Sequence, residues 1–441
     1  MDAQIWAIAW PAIIANISIP LLGLVDAALL GHLDSPLHLA AVAVGSAVLS
    51  FLYWGFSFLR MGTTGEVARA SGAGNELAAY RSLGRGGVLA ILIACLLLLF
   101  RDPLLSLGLG IMNADDQVAA TATVYAEIRL LSAPAVLLTY CLLGWFIGHQ
   151  DTRWPMVMVV ITNLLNILLD ALFILGLGLA SEGAAIATVI AEYAGLAVGM
   201  LGLLLRYRVN AARFFSGELL ALRPYLALLR SNVHLFLRTM SLLFAFAFFT
   251  AAGEKLGTDV VAANAVMMQF LLFAAFALDG FAYAAEGLAG ESLGARNTLR
   301  FLRVAQRCAL WTVLAAVLIS AIVWLGEPWF FPLLTDIPSV LEVMQAHGLW
   351  LVLMPLVAAP SYLLDGLFIG AGATQAMMKT MLFSTLVVYL PAWWCLSFLE
   401  NHGLWLSFVL FNLARSLTLG GYFVFFTRHH RWLQAVWGQS T

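Results

Sequence analysis

Two aspartates occur within long apolar segments of this chain. Asp170 ends the segment ITNLLNILLD, and Asn166 lies one helical turn before it on the same helix face. Asp26 lies in a second segment of this kind, SIPLLGLVDAALLG. Burial and like-charge repulsion both favour the protonated form of a carboxyl group, so such a pair can hold a proton near neutral pH. Carboxylates within membrane segments generally mark ion pathways and proton relays, so the pair predicts proton uptake and release.

Tyr125 and Thr188 are predicted to lie at the same depth as the two aspartates. Asp26, Asp170 and Thr188 are five or six residues from the predicted outer ends of their helices, and Tyr125 is about seven. At about 1.5 Å per residue, all four lie about 7–11 Å below the outer surface. With Asn166 one turn deeper, these residues predict a proton-coupling network. Thr188 could instead only tie neighbouring helices together.

Asn163 and Glu192 are second-tier candidates for coupling or substrate binding. Glu192 lies one helical turn beyond Thr188, so it could extend the same network. Asn163 is equally consistent with a structural tie, because amide side chains often form hydrogen bonds between membrane helices.

The elements that carry these residues are predicted to be membrane-spanning helices. The chain is 62% hydrophobic and 10% charged, whereas soluble domains have about 25% charged residues. Apolar stretches long enough to cross a bilayer recur throughout. The first of them contains Asp26 and lacks a cleavage-type context, so it is not a removable signal. The predicted fold class is an all-α polytopic membrane protein with twelve transmembrane helices, at roughly 4–30, 38–62, 84–107, 118–148, 154–177, 183–206, 226–252, 260–287, 301–326, 340–370, 375–399 and 403–427.

The positions of the basic residues predict the orientation. If the N-terminus is cytoplasmic, nearly all Lys and Arg residues of the connecting segments lie on the cytoplasmic side, and only Arg101 and Lys255 lie outside. This is a strong positive-inside bias. We therefore expect a multi-pass protein of the cell membrane, specifically the bacterial inner membrane, with both termini in the cytoplasm.

An internal repeat divides the chain into two halves. GWFIGHQDTRWPM at 144–156 aligns with GLFIGAGATQAMM at 366–378, and the same offset of 222 aligns GAGN at 72–75 with GARN at 294–297. The predicted lobes are 1–206 and 225–441, joined by a cytoplasmic linker at 207–224. Six helices per lobe make the repeats parallel, related by an axis along the membrane normal. Such halves commonly enclose a substrate path and alternate by rocking, so the architecture indicates a transporter.

Asp279 and Asp365 are two further acidic residues within predicted helices. By the offset they align with Ser57 and Leu143, so the second lobe does not copy the aspartate site of the first. They could contribute to coupling or substrate binding, or they could form structural pairs with Arg238 or Arg60.

The motifs resemble those of the MATE family of multidrug exporters. The resemblance covers nearly the whole chain and rests on VDAALLGHL, FLRMGTTGEVARASGAGN and GHQDTRWPMVMVVITNLLNILLD. GAAIATVIAEYA and LDGFAYAAEGLAGESLGARN are similar to the DinF branch in particular. The resemblance implies a cation-coupled antiporter, not an enzyme, that exports amphipathic and often cationic compounds.

The resemblance also implies roles for particular residues. Positions that match Asp26, Tyr125, Asn166, Asp170 and Thr188 form the proton-linked site of DinF-type exporters. A proline that matches Pro11 has been linked to bending of the first helix on protonation. A fixed kink without switching is an equal alternative for Pro11, since proline weakens a helix in either case.

The coupling ion is predicted to be the proton, with sodium as an alternative. In the NorM branch, carboxylates in helices 7 and 10 contribute to sodium coupling. Here no acidic residue occurs between Tyr225 and Gly253, and Asp365 is too close to the predicted cytoplasmic end to match. A flippase for a lipid-linked precursor is a further alternative, although that function favours a more cationic cleft.

Other functional classes find little support in the sequence. The GLGLG and GAG segments follow no predicted strand, so they do not indicate a nucleotide-binding loop. The eight histidines are scattered without metal-ligand spacing. We expect no metal and no cofactor, no nucleic acid partner, and a monomer that contacts the lipid bilayer and small amphipathic substrates.

A stripe of methionine and phenylalanine residues could line a path for apolar drugs or could face lipid and neighbouring helices. Its members are Met267, Met268, Phe270, Phe273 and Phe276. Flexible methionine and aromatic surfaces suit ligands of varied shape, so both interpretations remain open.

Overall fold

The chain forms a bundle of long helices. The structure, a computed structural model, describes residues 1–31, 35–112, 115–207 and 222–437. The first half contains α1 (Asp2–Gly31), α2 (Pro36–Gly55), α3 (Phe58–Gly72), α4 (Glu76–Leu99), α5 (Arg101–Met112), α6 (Asp116–Leu130), α7 (Ala133–Gly148), α8 (Arg153–Asp170) and α9 (Ala180–Tyr207). The second half contains α10 (Leu222–Glu254), α11 (Thr258–Gly294), α12 (Thr298–Leu334), α13 (Pro338–Ala371), α14 (Thr374–Phe383), α15 (Leu390–Leu396), α16 (Glu400–Arg428) and α17 (Trp432–Trp437).

The spans agree with the sequence prediction once broken helices are paired. Among the described residues, ten segments are long and apolar enough to cross a membrane, or eleven if α6 and α7, bent by 52°, form one span. One of these, Thr374–Arg428, has 55 residues and contains two predicted spans. A 3₁₀ turn at Ser397–Leu399 and a left-handed φ of 51° at Glu400 interrupt it. The all-helical membrane fold is therefore confirmed.

Two π-helical segments interrupt the regular helices. Ala171–Gly176 follows Asp170 directly, and Ser384–Tyr389 joins α14 to α15. Such segments are rare and frequently occur at functional sites. The π-helical segment after Asp170 is therefore consistent with a functional site at the end of α8.

The repeated GAGN and GARN motifs have the same local structure in both halves. Asn75 accepts a hydrogen bond from the amide of Ala78, and Asn297 accepts one from the amide of Arg300, so each asparagine caps the helix that follows it. The preceding residue is left-handed in both motifs, with φ of 68° at Gly74 and 55° at residue 296. The motif therefore repeats because it ends one helix and starts the next.

The contacts between the halves are reciprocal. Gly72, at the end of α3, lies against the backbone of Glu291 in α11, and Gly294 lies against the backbone of Arg69 in α3. Both glycines and both of their partners differ by the offset of 222. Exchange of residues i and j across an interface is the signature of a two-fold relation.

A second set of contacts repeats the pattern. Gly65 faces the carbonyl group of Ile369, and Gly287 faces the carbonyl group of Ile147. These two contacts also interchange under the offset of 222. The parallel two-lobe repeat is thus visible in the packing itself. Most of the linker predicted at 207–224 lies outside the described residues, so the lobe boundaries remain predictions.

Candidate coupling and substrate sites

Part of the predicted coupling network comes together in the first lobe. Asn166 and Asp170 on α8 and Thr188 on α9 are all buried. The Asn166 amide nitrogen donates to the Thr188 hydroxyl at 3.3 Å, and that hydroxyl donates to the carbonyl of Ala184 at 2.8 Å. The Asn166 carbonyl oxygen is buried and has no hydrogen-bond partner among the described residues. An unused acceptor therefore lies one helical turn from a buried carboxyl group.

The backbone of Asp26 belongs to α1, but its side chain lies outside the described part of the structure. The predicted approach of Asp26 to Asp170 consequently stays a prediction.

Tyr125 is buried on α6, and its hydroxyl forms a hydrogen bond with a serine of α2. The phenolic oxygen lies 2.9 Å from the Ser46 hydroxyl of α2. The Tyr125 ring also packs beside Gly45, where a Cβ atom would collide with it. Tyr125 therefore ties α6 to α2, and no described hydrogen bond joins it to Asn166 or Thr188.

Asn163 and Glu192 both connect helices. The Asn163 amide donates to the carbonyl of Ser18 at 2.9 Å, which ties α8 to α1. Glu192 forms an ion pair with Arg129 of α6 at 3.0 Å. Arg129 thus supplies a charged partner for this membrane carboxylate. The role of Glu192 in coupling or substrate binding stays a prediction.

The proline-containing helix is continuous. α1 runs from Asp2 to Gly31 through Pro11 and also through Pro20, which the sequence analysis did not single out. The Thr152 hydroxyl donates to the carbonyl of Ile8, three residues before Pro11, at 2.6 Å. This hydrogen bond ties α1 near Pro11 to the residue that precedes α8. Bending at Pro11 stays a prediction.

A cavity of about 330 Å³ lies between the two lobes. Residues of α1, α3, α7 and α8 form one wall, and residues of α10, α11 and α13 form the other. Three charged residues line it: Arg60, Arg238 and Asp279. Asp170 and Thr188 do not belong to this wall, so the buried carboxyl group and the cavity are separate places.

Both cavity arginines have carboxylate partners. Arg60 pairs with Glu286 at 3.0 Å and lies over the ring of Tyr283, 4.6 Å from its centre. Arg238 forms an ion pair with Asp365. Asp365 thus forms one of the ion pairs considered for it, whereas Arg60 pairs with Glu286 and not with either aspartate. Whether Asp365 also acts in coupling or substrate binding stays a prediction.

A second arginine completes the buried cluster behind the cavity. Arg415 of α16 donates to Asp365 at 3.1 Å and to the side-chain oxygen of Asn412 at 3.0 Å. Asp279 has no hydrogen bond or ion pair of this kind in the described residues, and it lines the cavity directly. Among the described residues, Asp279 is thus the acidic residue that lines the cavity.

The methionine and phenylalanine stripe divides between the two interpretations. Met268 and Phe276 line cavities, Met267 is buried in the core of the second lobe, and Phe270 and Phe273 lie in a shallow pocket beside Phe330. Neighbouring residues in the sequence lie on different faces of a helix. The five side chains therefore do not all line one cavity.

Glu286, Arg415 and Ser46 are not among the residues predicted from the sequence. Glu286 lies seven residues after Asp279, on the same face of α11, and this spacing is a signal that could have found it. Arg415 and Ser46 are single polar residues within apolar helices, and their spacing does not predict their hydrogen-bond partners.

A two-lobe bundle of membrane-spanning helices around a central cavity is the architecture of a secondary transporter. A family model described as MatE matches residues 11–172 and 235–394. The chain therefore belongs to the MatE family.

Similar proteins agree with this assignment. The chain is 39% identical to DNA damage-inducible protein F of Escherichia coli, over 100% of this chain and 95% of that protein. It is 24% identical to a probable multidrug resistance protein NorM of Thermotoga maritima, over 87% and 83% of the two chains. A solved outward-facing multidrug resistance MATE transporter superposes with a TM-score of 0.88 at 21% identity, over 98% and 96% of the two chains. This last similarity concerns the fold alone.

Proposed function

We propose that the protein is a secondary active antiporter that exchanges protons for amphipathic, often cationic, organic compounds. It would act as a monomer in the bacterial inner membrane, with both termini in the cytoplasm. Membership of a multidrug transporter family supports the general activity. The proton as coupling ion and the class of substrate are the proposed parts.

The unused carbonyl oxygen of Asn166 carries the proposal for the proton. A buried acceptor without a donor is costly. A protonated carboxyl group carries an O–H donor, which the ionised form lacks. Protonation of a carboxyl group at this level, on Asp170 or Asp26, can supply the missing donor, so proton uptake is stabilised by the surrounding helices.

α1 provides a connection between this region and the substrate cavity. Ala12, Ala15 and Asn16 of α1 line the cavity, and Ser18 of α1 accepts the hydrogen bond from Asn163. Further along the same helix lies Asp26. Movement of α1 on protonation would therefore change the cavity wall, and Pro11 and Pro20 lower the cost of bending.

The cavity charges favour a cationic substrate. Glu286 balances the charge of Arg60, and Asp365 is shared by Arg238 and Arg415, whereas Asp279 lines the cavity without an ion pair among the described residues. A cation that binds there gains an interaction with a carboxylate in a region of reduced dielectric. Asp279 would repel an anionic precursor in the cavity, which disfavours a flippase for such precursors.

Transport by purified protein in liposomes tests the coupling ion. A fluorescent cationic dye is followed while a pH gradient or a sodium gradient is imposed separately. We expect wild-type transport with the pH gradient only. Asp170→Asn and Asp26→Asn should abolish it while dye binding persists, because asparagine resembles the neutral acid but cannot release a proton.

Asp259→Asn provides the matched control, because it makes the same change at an exposed position near the start of α11. Full transport by Asp170→Asn under a pH gradient would refute the proposal. Wild-type transport that follows a sodium gradient at constant pH would establish the sodium alternative instead.

A further inference from the structure

A second cavity of about 220 Å³ lies between α10 and α11, beside the inter-lobe cavity. The two cavities share four wall residues: Trp54, Leu243, Phe246 and Leu272. We call the second one the side cavity. The two cavities are therefore adjacent, and these apolar side chains form the boundary between them.

The back wall of the side cavity is aromatic and well packed. Phe249 contacts Trp405 edge to face, with 5.0 Å between ring centres, and Phe408 at 5.2 Å. Phe246 contacts Phe408 from the side of the main cavity, at 5.7 Å. A wall of packed rings keeps its shape without a ligand, which lowers the cost of binding.

The polar side chains of the side cavity already have partners. The amide nitrogen and oxygen of Asn264 bond reciprocally to Asn401, at 2.7 and 3.1 Å, and the oxygen also accepts from the Trp405 indole at 2.9 Å. The Thr250 hydroxyl donates to the carbonyl of Phe246. None of the described residues that line the side cavity is charged. It therefore suits an apolar group that needs no hydrogen bonds.

We propose that the side cavity binds the alkyl or aromatic end of the transported compound while its cationic end lies at Asp279. This inference rests on the proposed function and adds a subsite to it. The main cavity supplies the charge and the side cavity supplies apolar surface, so together they select compounds with both. Burial of the apolar end outside water supplies affinity without requiring a fixed chemical structure.

A series of 1-alkylpyridinium salts tests the subsite, with chains from two to ten carbons. Affinity is measured by competition against labelled 1-hexylpyridinium, on purified protein in nanodiscs of one lipid composition. For the wild type we expect about a fourfold gain per methylene until the side cavity is filled. The bilayer is the same for every variant, so differences between variants report the protein.

Three substitutions in α11 change the side cavity or leave it intact. Ala265→Phe fills it, so the gain should stop at a shorter chain, whereas Met268→Ala enlarges it and should extend the gain. Ala262→Phe is the matched control, because Ala262 is exposed on the same helix but outside the side cavity. Opposite effects from filling and enlarging cannot both come from loss of fold, which size-exclusion profiles check independently.

Asp279→Asn separates this inference from the proposed function. It should weaken every member of the series by the same factor and leave the chain-length dependence unchanged. Identical chain-length dependence in the wild type, Ala265→Phe and Met268→Ala would overturn the subsite even if the Asp279 effect stands. Native mass spectrometry provides a second check. The subsite would also be overturned if the wild type retained a phospholipid that Ala265→Phe loses, while the chain-length dependence stayed the same. No binding of any member would instead contradict the proposed cationic substrate.

Discussion

The reciprocal contact of Gly72 and Gly294 predicts that alanine at either position opens one end of the molecule. Alternating access requires that the lobes separate at the end where α3 and α11 now touch. In the present conformation each glycine lies against the backbone of the opposite helix. A methyl group at either position can be accommodated only if the helices move apart.

The size of the effect follows from the distances. A Cβ atom on Gly72 would lie 2.7 Å from the carbonyl carbon of Glu291, and one on Gly294 would lie 2.8 Å from that of Arg69. Carbon atoms normally approach to about 3.5–4.0 Å, so the helices must separate by about 1 Å. Overpacking of this kind costs about 1–3 kcal/mol. If only the closed conformation bears that cost, the closed-to-open ratio falls roughly 5- to 150-fold.

Pulsed dipolar spectroscopy between spin labels measures this ratio. Leu77→Cys and Leu299→Cys place one label on each lobe, at exposed positions related by the repeat, in a background without the two exposed native cysteines. Gly72→Ala and Gly294→Ala should shift the distance distribution towards longer separations. Gly421→Ala should not, because a Cβ atom there meets nothing within 4 Å. Unchanged distributions in correctly folded variants would refute the reasoning.

Two further predictions concern the buried ion pairs. Asp365→Asn leaves Arg238 and Arg415 without a carboxylate, so it should destabilise the protein by about 3–5 kcal/mol, measured as thermal unfolding in detergent. An unaffected melting temperature would contradict the pairing. Glu192→Gln should also lower the melting temperature, because Arg129 loses its partner, but transport should still depend on the pH gradient. Loss of that dependence would show that Glu192 takes part in coupling.

Spacing within one helix was readable from the sequence. Asn166 and Asp170 share a face of α8 because helical geometry places residues i and i+4 together. Depth in the membrane followed from counting residues, and it correctly brought Thr188 of the next helix to Asn166. The repeat was equally visible, and the reciprocal contact of Gly72 confirms it.

Partners across the bundle were decided by tertiary packing. The sequence shows that Asp365 and Glu192 lie in apolar segments, but it does not show that Arg415 and Arg129 face them. Those pairs join helices far apart in the chain, and their choice depends on how each helix is rotated and where its neighbours cross.

The sequence by itself determined that this protein is a two-lobe membrane bundle with buried carboxylates, because apolar length, periodicity and repetition are local properties of the chain. Only the tertiary structure decided which carboxylates are neutralised and which one faces the cavity. A charged residue in a membrane segment pairs with another group or faces a cavity. That partner is selected by the packing of distant helices, so Asp365 is buried between Arg238 and Arg415, whereas Asp279 lies at the cavity wall.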